Sequence, residues 1–316
     1  MFPSVAAAAN PDAAGPRNWD YIIVTTKALP DRSDDSALIA PLVGPRSCIV
    51  LIQNGVGVEQ PYRARFPTTP IISAVTVISA EQTSPGTVRQ NRWTRIHLGP
   101  YSNSASFNTT PSSSSSGSHT YPRGDDTTGA PHPTPDDTPT LTPSPSALQQ
   151  TGAHFSALLA DWWTRLGGIR DVDATDEVAL QTVRWHKLCI NAAFNPSAVL
   201  SGGRGNADMA RDPELRMHLA GVMREIWEAA PRILGRGFPA YMAGPEKILE
   251  SSERNVGSKP SMLLDWEGGR AMEVEVILGN PVRIARARGV EMPRLQTVYA
   301  LVRSMQEVRE RKEAKL

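Results

Sequence analysis

The sequence predicts an α/β domain followed by an all-helical domain, and three observations carry that expectation. Between residues 20 and 100, short and uniformly apolar runs rich in β-branched residues alternate with short helical candidates. A stretch of Ser, Thr, Pro, Gly and Asp follows. Beyond it, apolar residues recur at three- and four-residue steps, the period of a helix with one buried face.

The elements follow in chain order. Residues 1–19 are Ala/Pro/Asn-rich and read as a loose, disordered terminus. Tyr21-Ile22-Ile23-Val24-Thr25-Thr26 and Cys48-Ile49-Val50-Leu51-Ile52 are apolar at successive positions, as in parallel strands covered on both faces. Ser33 to Leu42 and Val58 to Arg65 are helical candidates between strands, and Ile71 to Ile78 is a third strand. Strand, helix, strand, helix, strand is the pattern of right-handed parallel crossovers. Gly86 to Gln90 and Arg95 to Gly99 read as a hairpin closing this half. Tyr101 to Gln150 is read as a disordered insert, because its composition buries too little apolar surface to offset the entropy of ordering. Everything after Thr151 reads as helical: Phe155 to Leu166, Val178 to Leu200, Leu215 to Leu234, Met272 to Ala287 and Val298 to Val308. Gly167-Gly168, Gly202-Gly203 and Gly289 lie near the breaks. The expected domains are therefore 20–100 and 151–316, separated by the insert at 101–150.

Composition removes several function classes. The chain has 33 Lys+Arg against 32 Asp+Glu over 316 residues, a balance that argues against a nucleic-acid binder. Two cysteines, Cys48 and Cys189, lie inside apolar runs, which excludes a disulfide scaffold or a cysteine-based zinc site. No apolar run is long enough to cross a membrane, and the N-terminus lacks a basic start and a long apolar centre. The expectation is a reduced, cytoplasmic setting. The histidines show no metal-ligand spacing, so no metal is expected.

One segment concentrates chemistry. In Trp185-His186-Lys187-Leu188-Cys189-Ile190-Asn191-Ala192-Ala193-Phe194-Asn195-Pro196, the residues Lys187, Asn191 and Asn195 stand four apart. Four helical residues turn about 400°, so the three share one stripe of an otherwise apolar helix. Buried polar groups need partners, at about 1–3 kcal/mol each when unpaired. Asparagine is also a mediocre helix former, and local propensity is often sacrificed at functional sites. A lysine in a water-poor cleft can protonate a developing alkoxide, while carboxamides orient a hydroxyl or carboxylate. Adjacent helix residues diverge by about 100°, so His186 leaves the stripe and reads as structural.

Lys187-Leu188-x-x-Asn191-x-x-x-Asn195-Pro196 resembles the catalytic helix of the ketopantoate reductase (2-dehydropantoate 2-reductase) family, and other pieces match in order. Val24-Thr25-Thr26-Lys27-Ala28 resembles the strand end whose lysine lies beside the cofactor. Gln53-Asn54-Gly55-Val56-Gly57 is similar to the turn whose asparagine reaches nicotinamide and substrate. Ser261-Met262-Leu263-Leu264-Asp265 with Glu273-Val274-Glu275-Val276-Ile277-x-Gly279 resembles the late signature. The resemblance runs from about Asp20 to the C-terminus, apart from the insert. It implies a Rossmann-like nucleotide domain, a helical domain like that of 6-phosphogluconate dehydrogenase, and reduction of a branched 2-keto acid such as 2-dehydropantoate by NADPH. Carried over, Lys187 is the general acid, Asn54, Asn191, Asn195 and Ser261 bind substrate, and Lys27, Asn54, Ala80 and Glu273 bind cofactor; the match at Ala80 is approximate. A homodimer is compatible with the resemblance, which implies neither a nucleic-acid nor a membrane partner.

Taken singly, these residues also have plainer readings. Lys27 fits a solvated strand end, Asn54-Gly55 a common turn, Ser261 a helix cap, Asp265 and Arg270 a surface pair, and Glu273 and Glu275 solvated helix residues. The family opens with a strand and a G-x-G-x-x-G turn that cradles the pyrophosphate. No such motif precedes Asp20, so the expected sheet domain is incomplete, lacking its first βαβ unit. The competing expectation is accordingly a truncated, non-catalytic relative that acts as a helical binding protein.

Overall fold

The computed structural model describes residues 4–10, 19–84, 86–102 and 144–314. Its strands are β1 (Tyr21–Val24), β2 (Cys48–Ile52), β3 (Ile71–Ser84), β4 (Thr87–Pro100) and β5 (Asp171–Ala174). Its α-helices are α1 (Val5–Ala9), α2 (Asp35–Ile39), α3 (Gln60–Arg65), α4 (Pro145–Arg165), α5 (Glu177–Leu200), α6 (Asn206–Arg211), α7 (Pro213–Leu234), α8 (Pro245–Ser252), α9 (Ser261–Glu267), α10 (Asn280–Arg286) and α11 (Pro293–Glu313). A 3-10 turn at Ala40–Leu42 extends α2, and a π-helical turn at Glu275–Gly279 leads into α10.

The strands form one sheet in the order β1-β2-β3-β4-β5. β1, β2 and β3 are parallel, with Tyr21 opposite Cys48 and Ile49 opposite Ile71. β4 runs antiparallel to β3, and β5 parallel to β4. The unbroken apolarity of β2 has the cause expected for a strand covered on both faces. Cys48 and Val50 join Ile72, Ala74, Ile96 and Leu98 beneath Leu159 and Ala160 of α4, whereas Ile49 and Leu51 face the core shared with the helices. Ile72 is fully buried under α4. Ile72→Val is expected to cost about 0.5–1.5 kcal/mol, read as a lower denaturant midpoint at unchanged slope.

Several elements differ from expectation. The hairpin does not pair 86–90 with 95–99; residues 87–90 and 95–99 both belong to β4, and their partner is β3, extended past Ile78. The turn falls at Gly86, whose φ of +77° is accessible to glycine without strain. The chain beyond Thr151 is not purely helical, because β5 lies within it. Asp-Val-Asp-Ala carries one large apolar side chain, too weak a pattern to betray a strand, and β5 is recruited by pairing with β4, where Arg95 faces Asp171. Helix α4 begins at Pro145, capped by the Ser144 hydroxyl, inside the span read as insert. It packs on the sheet, where the Tyr21 hydroxyl donates to the Phe155 carbonyl at 3.1 Å, edge-on to the Phe155 ring. Near the N-terminus, Val5–Ala9 forms a short helix capped by Ser4. Residues 11–18 and 103–143 of the two spans expected to be disordered lie outside the described residues. Helices α6 and α8 also escaped the sequence pattern. No helix among the described residues is long and apolar enough to cross a membrane.

Candidate active site

The carboxyl ends of parallel strands are where α/β sheets bind ligands, and here α5 lies against them. Beyond β2 the chain turns through Gln53-Asn54-Gly55. Gly55 has φ +83°, and a Cβ there would stand 2.4 Å from the Val276 carbonyl oxygen, so only glycine lets the turn and the π-helical turn meet. The Val56 amide donates to the Val276 carbonyl at 2.9 Å, and Asn280 Nδ2 donates to the Val56 carbonyl at 2.8 Å. Gln53 Nε2 donates to the Thr26 carbonyl at 3.1 Å, tying the turn to the end of β1.

These contacts fix Asn54 between two charged groups. Lys187 Nζ donates to Asn54 Oδ1 at 2.8 Å and to the Thr76 carbonyl of β3 at 2.6 Å. Asn54 Nδ2 donates to Glu273 Oε2 at 3.1 Å, and the other carboxylate oxygen of Glu273 accepts the Ala28 amide at 3.4 Å. The orientation of the carboxamide is set from both ends: oxygen toward the cation, nitrogen toward the carboxylate. An ammonium carries three donors, and two are used here. Burial, reinforced by the neighbouring Arg184 charge and partly offset by Glu273, lowers the Lys187 pKa to about 8.

The cleft beside Lys187 is lined by Asn54, Gly55, Val75, Arg184, Leu188 and Asn191. The structure brings Lys187, Asn54, Glu273 and Asn191 together. Asn195 lies one turn beyond Asn191 and is buried, and its Nδ2 has no hydrogen-bond partner. Lys27 is not simply solvated: it forms an ion pair with the buried Asp265, which Arg270 also contacts at 3.1 Å. Ser261 is the exposed first residue of α9, a helix packed on α5. Ala80 stands apart, exposed on the outer part of the β3–β4 ribbon, four residues past Thr76 and therefore about 13 Å along the strand. Thr76 is the β3 residue that reaches the cluster. His186 leaves the stripe: its Nε2 is 2.9 Å from the Ala243 carbonyl, and its ring lies edge-on to Trp227 and Phe238.

Sequence reasoning missed the group that braces this cluster. Arg184, one turn before Lys187, is buried and paired with buried Glu59 at 3.4 Å. Glu59 also accepts from Ser73 Oγ and Gln181 Nε2. The place of Arg184 one turn before Lys187 on the same helix was the available signal.

The donor set suits the nicotinamide–ribose end of a dinucleotide. Glu273 accepts from the Ala28 amide and Asn54 Nδ2 and retains lone pairs for hydroxyl donors, while Lys27, next to Ala28, is paired with Asp265. The phosphates are different. Helix α2, which follows β1, opens on Asp34 and Asp35, a first turn that repels an anion, and among the described residues no glycine-rich turn opens a helix beside β1.

Residues 2–103 match the family model described as ketopantoate reductase PanE/ApbA, and residues 179–306 match its C-terminal counterpart. An uncharacterised protein of Saccharomyces cerevisiae is 27% identical over 99% of the chain and 79% of its own length. A Nostoc protein named 2-dehydropantoate 2-reductase is 23% identical over 91% of the chain and 74% of its own length. The crystal structure of 2-dehydropantoate 2-reductase from Methylococcus capsulatus superposes with a TM-score of 0.68 at 28% identity, covering 96% of this chain and 78% of that one.

Proposed function

The chain belongs to the ketopantoate reductase PanE/ApbA family, and from that premise we propose that it reduces a branched 2-keto acid, 2-dehydropantoate or a close analogue, to the 2-hydroxy acid with NADPH. The observation that carries the reading is the ordered set of contacts from Thr76 through Lys187 and Asn54 to Glu273, which uses two of the three ammonium donors.

When bound, NADPH supplies the hydride that reaches C2 of the substrate. Lys187 Nζ hydrogen-bonds the keto oxygen and gives it a proton as charge develops there, so that keto acid, hydride and proton together make the hydroxy acid. Asn54 and the Thr76 carbonyl hold the ammonium while it does so. Asn191 and Asn195 continue the same stripe, rising about 12 Å from Lys187 to Asn195, and are assigned to the substrate on the family resemblance. Ser261 is assigned to the substrate carboxylate on the family resemblance. Lys27, Asn54, Ala80 and Glu273 are assigned to the cofactor on the same ground, Ala80 through its backbone.

Lys187 works as an acid only while protonated. With its pKa near 8, the acid form predominates at neutral pH and is lost as pH rises through that value. The rate of keto-acid reduction at saturating NADPH is expected to be level below about pH 7 and to fall roughly tenfold per unit well above the pKa. A rate that stays level far above pH 8 would remove Lys187 from the role. A second reading, a non-catalytic helical binding protein, draws on the acidic start of α2 and the missing phosphate cradle among the described residues. It predicts no binding of NADPH on direct titration, against binding at about micromolar concentration for a reductase.

A further inference from the structure

Arg184 and Lys187 are one turn apart on α5 and reach the same two pieces of chain. Arg184 Nη1 donates to the carbonyls of Gln53 at 2.9 Å and Gly55 at 2.8 Å, the residues on either side of Asn54. Its Nη2 donates to Ser73 Oγ at 2.5 Å and to the Ala74 carbonyl at 3.1 Å, on the strand that carries Thr76. Lys187 then takes Asn54 Oδ1 and the Thr76 carbonyl. We propose that Arg184 is a positioning residue for the reduction, fixing with one guanidinium both acceptors that hold the Lys187 ammonium. This rests on Lys187 being the proton donor.

The chemistry requires an arginine. Four acceptors in two directions match the planar fork of a guanidinium, whereas a lysine has three donors on one atom and cannot span them. The burial of that charge is compensated by Glu59, which Ser73 and Gln181 hold in place. Burial lowers the proton affinity of Arg184 and Glu59 restores part of it; a guanidinium starts basic enough to stay charged near neutrality. Arg184 therefore has a second effect on Lys187. The charged groups facing the ammonium are Arg184 on its own helix and Glu273 across the turn, the first disfavouring its proton and the second favouring it; Asn54 and the Thr76 carbonyl are neutral. Burial is the larger cause of the lowered Lys187 pKa, and the Arg184 cation one turn away adds to it.

Two variants separate the fork from the charge. Arg184→Lys keeps a cation and loses the fork, so kcat is expected to fall by about 10²-fold with the alkaline limb of its pH profile still near 8. Arg184→Gln combined with Glu59→Gln removes both charges of the pair, so Lys187 is expected to titrate at a higher pH. That titration is read from the NMR signal of its ε-methylene group, assigned by its loss in Lys187→Met. The NMR readout does not require turnover: a wild-type chain that fails to reduce the keto acid refutes the function proposed above, while the titration still reports on Arg184. If the paired variant does not fold, Arg184→Lys carries the test. Folded variants with wild-type kcat and an unmoved Lys187 titration would overturn the proposal.

Discussion

Lys187→Ala is expected to lower the turnover of 2-dehydropantoate with NADPH by about 10²–10⁴-fold, the usual contribution of a positioned general acid. The fold should survive. Truncation leaves Asn54 Oδ1 and the Thr76 carbonyl without their donor, a cost of about 1–3 kcal/mol, but it also removes a cation whose burial is unfavourable enough to pull its pKa to about 8. The two effects oppose each other, so the denaturant midpoint should lie close to that of the parent. Unaltered turnover in a folded Lys187→Ala protein would show that the proton comes from elsewhere.

Gly55→Ala should damage both stability and activity. The residue sits at φ +83°, where a side chain is strained, and its new Cβ would fall 2.4 Å from the Val276 carbonyl oxygen, inside any permitted contact. The backbone must move at one or both sites, and the left-handed conformation alone costs about 1–3 kcal/mol. A total loss of at least about 2 kcal/mol is expected from the denaturant midpoint. Because Asn54 is the preceding residue and the Gly55 carbonyl is one of the acceptors of Arg184, kcat should fall with stability. A midpoint and kcat equal to those of the parent would mean that the turn is not held as tightly as its contacts imply.

What could be read from the sequence divides along physical lines. Strand β2 was legible because burial on both faces writes itself into consecutive residues, Ile49-Val50-Leu51; β1 was read the same way, but it is the edge of the sheet, and Ile23 on its outer face is exposed while Ile22 and Val24 are buried. The Lys187, Asn191 and Asn195 stripe was legible because a helix converts a spacing of four into a shared face. Contacts that depend on distant chain were hidden. Nothing local says that Arg184 meets Glu59 and Ser73, that Lys27 pairs with Asp265, or that Thr76 offers its carbonyl to Lys187. Strand β5 was hidden for a related reason: Asp171 and Asp173 are exposed on the edge of the sheet, so pairing with β4 makes the strand and burial does not. The hairpin was misplaced because β3 and β4 run past the sheet core, where the apolar signal that marks a strand is lost.

Hydride transfer itself is the decisive measurement for a reductase. The chain would be incubated with 2-dehydropantoate and NADPH carrying deuterium at C4 of the nicotinamide ring, and the product analysed by mass spectrometry. The account predicts a 2-hydroxy acid labelled at C2 when the transferred position carries the deuterium, formed in step with oxidation of the cofactor and lost in Lys187→Ala. Tight binding of either ligand with no labelled product at saturating concentrations would contradict it, as would labelled product formed equally well without Lys187.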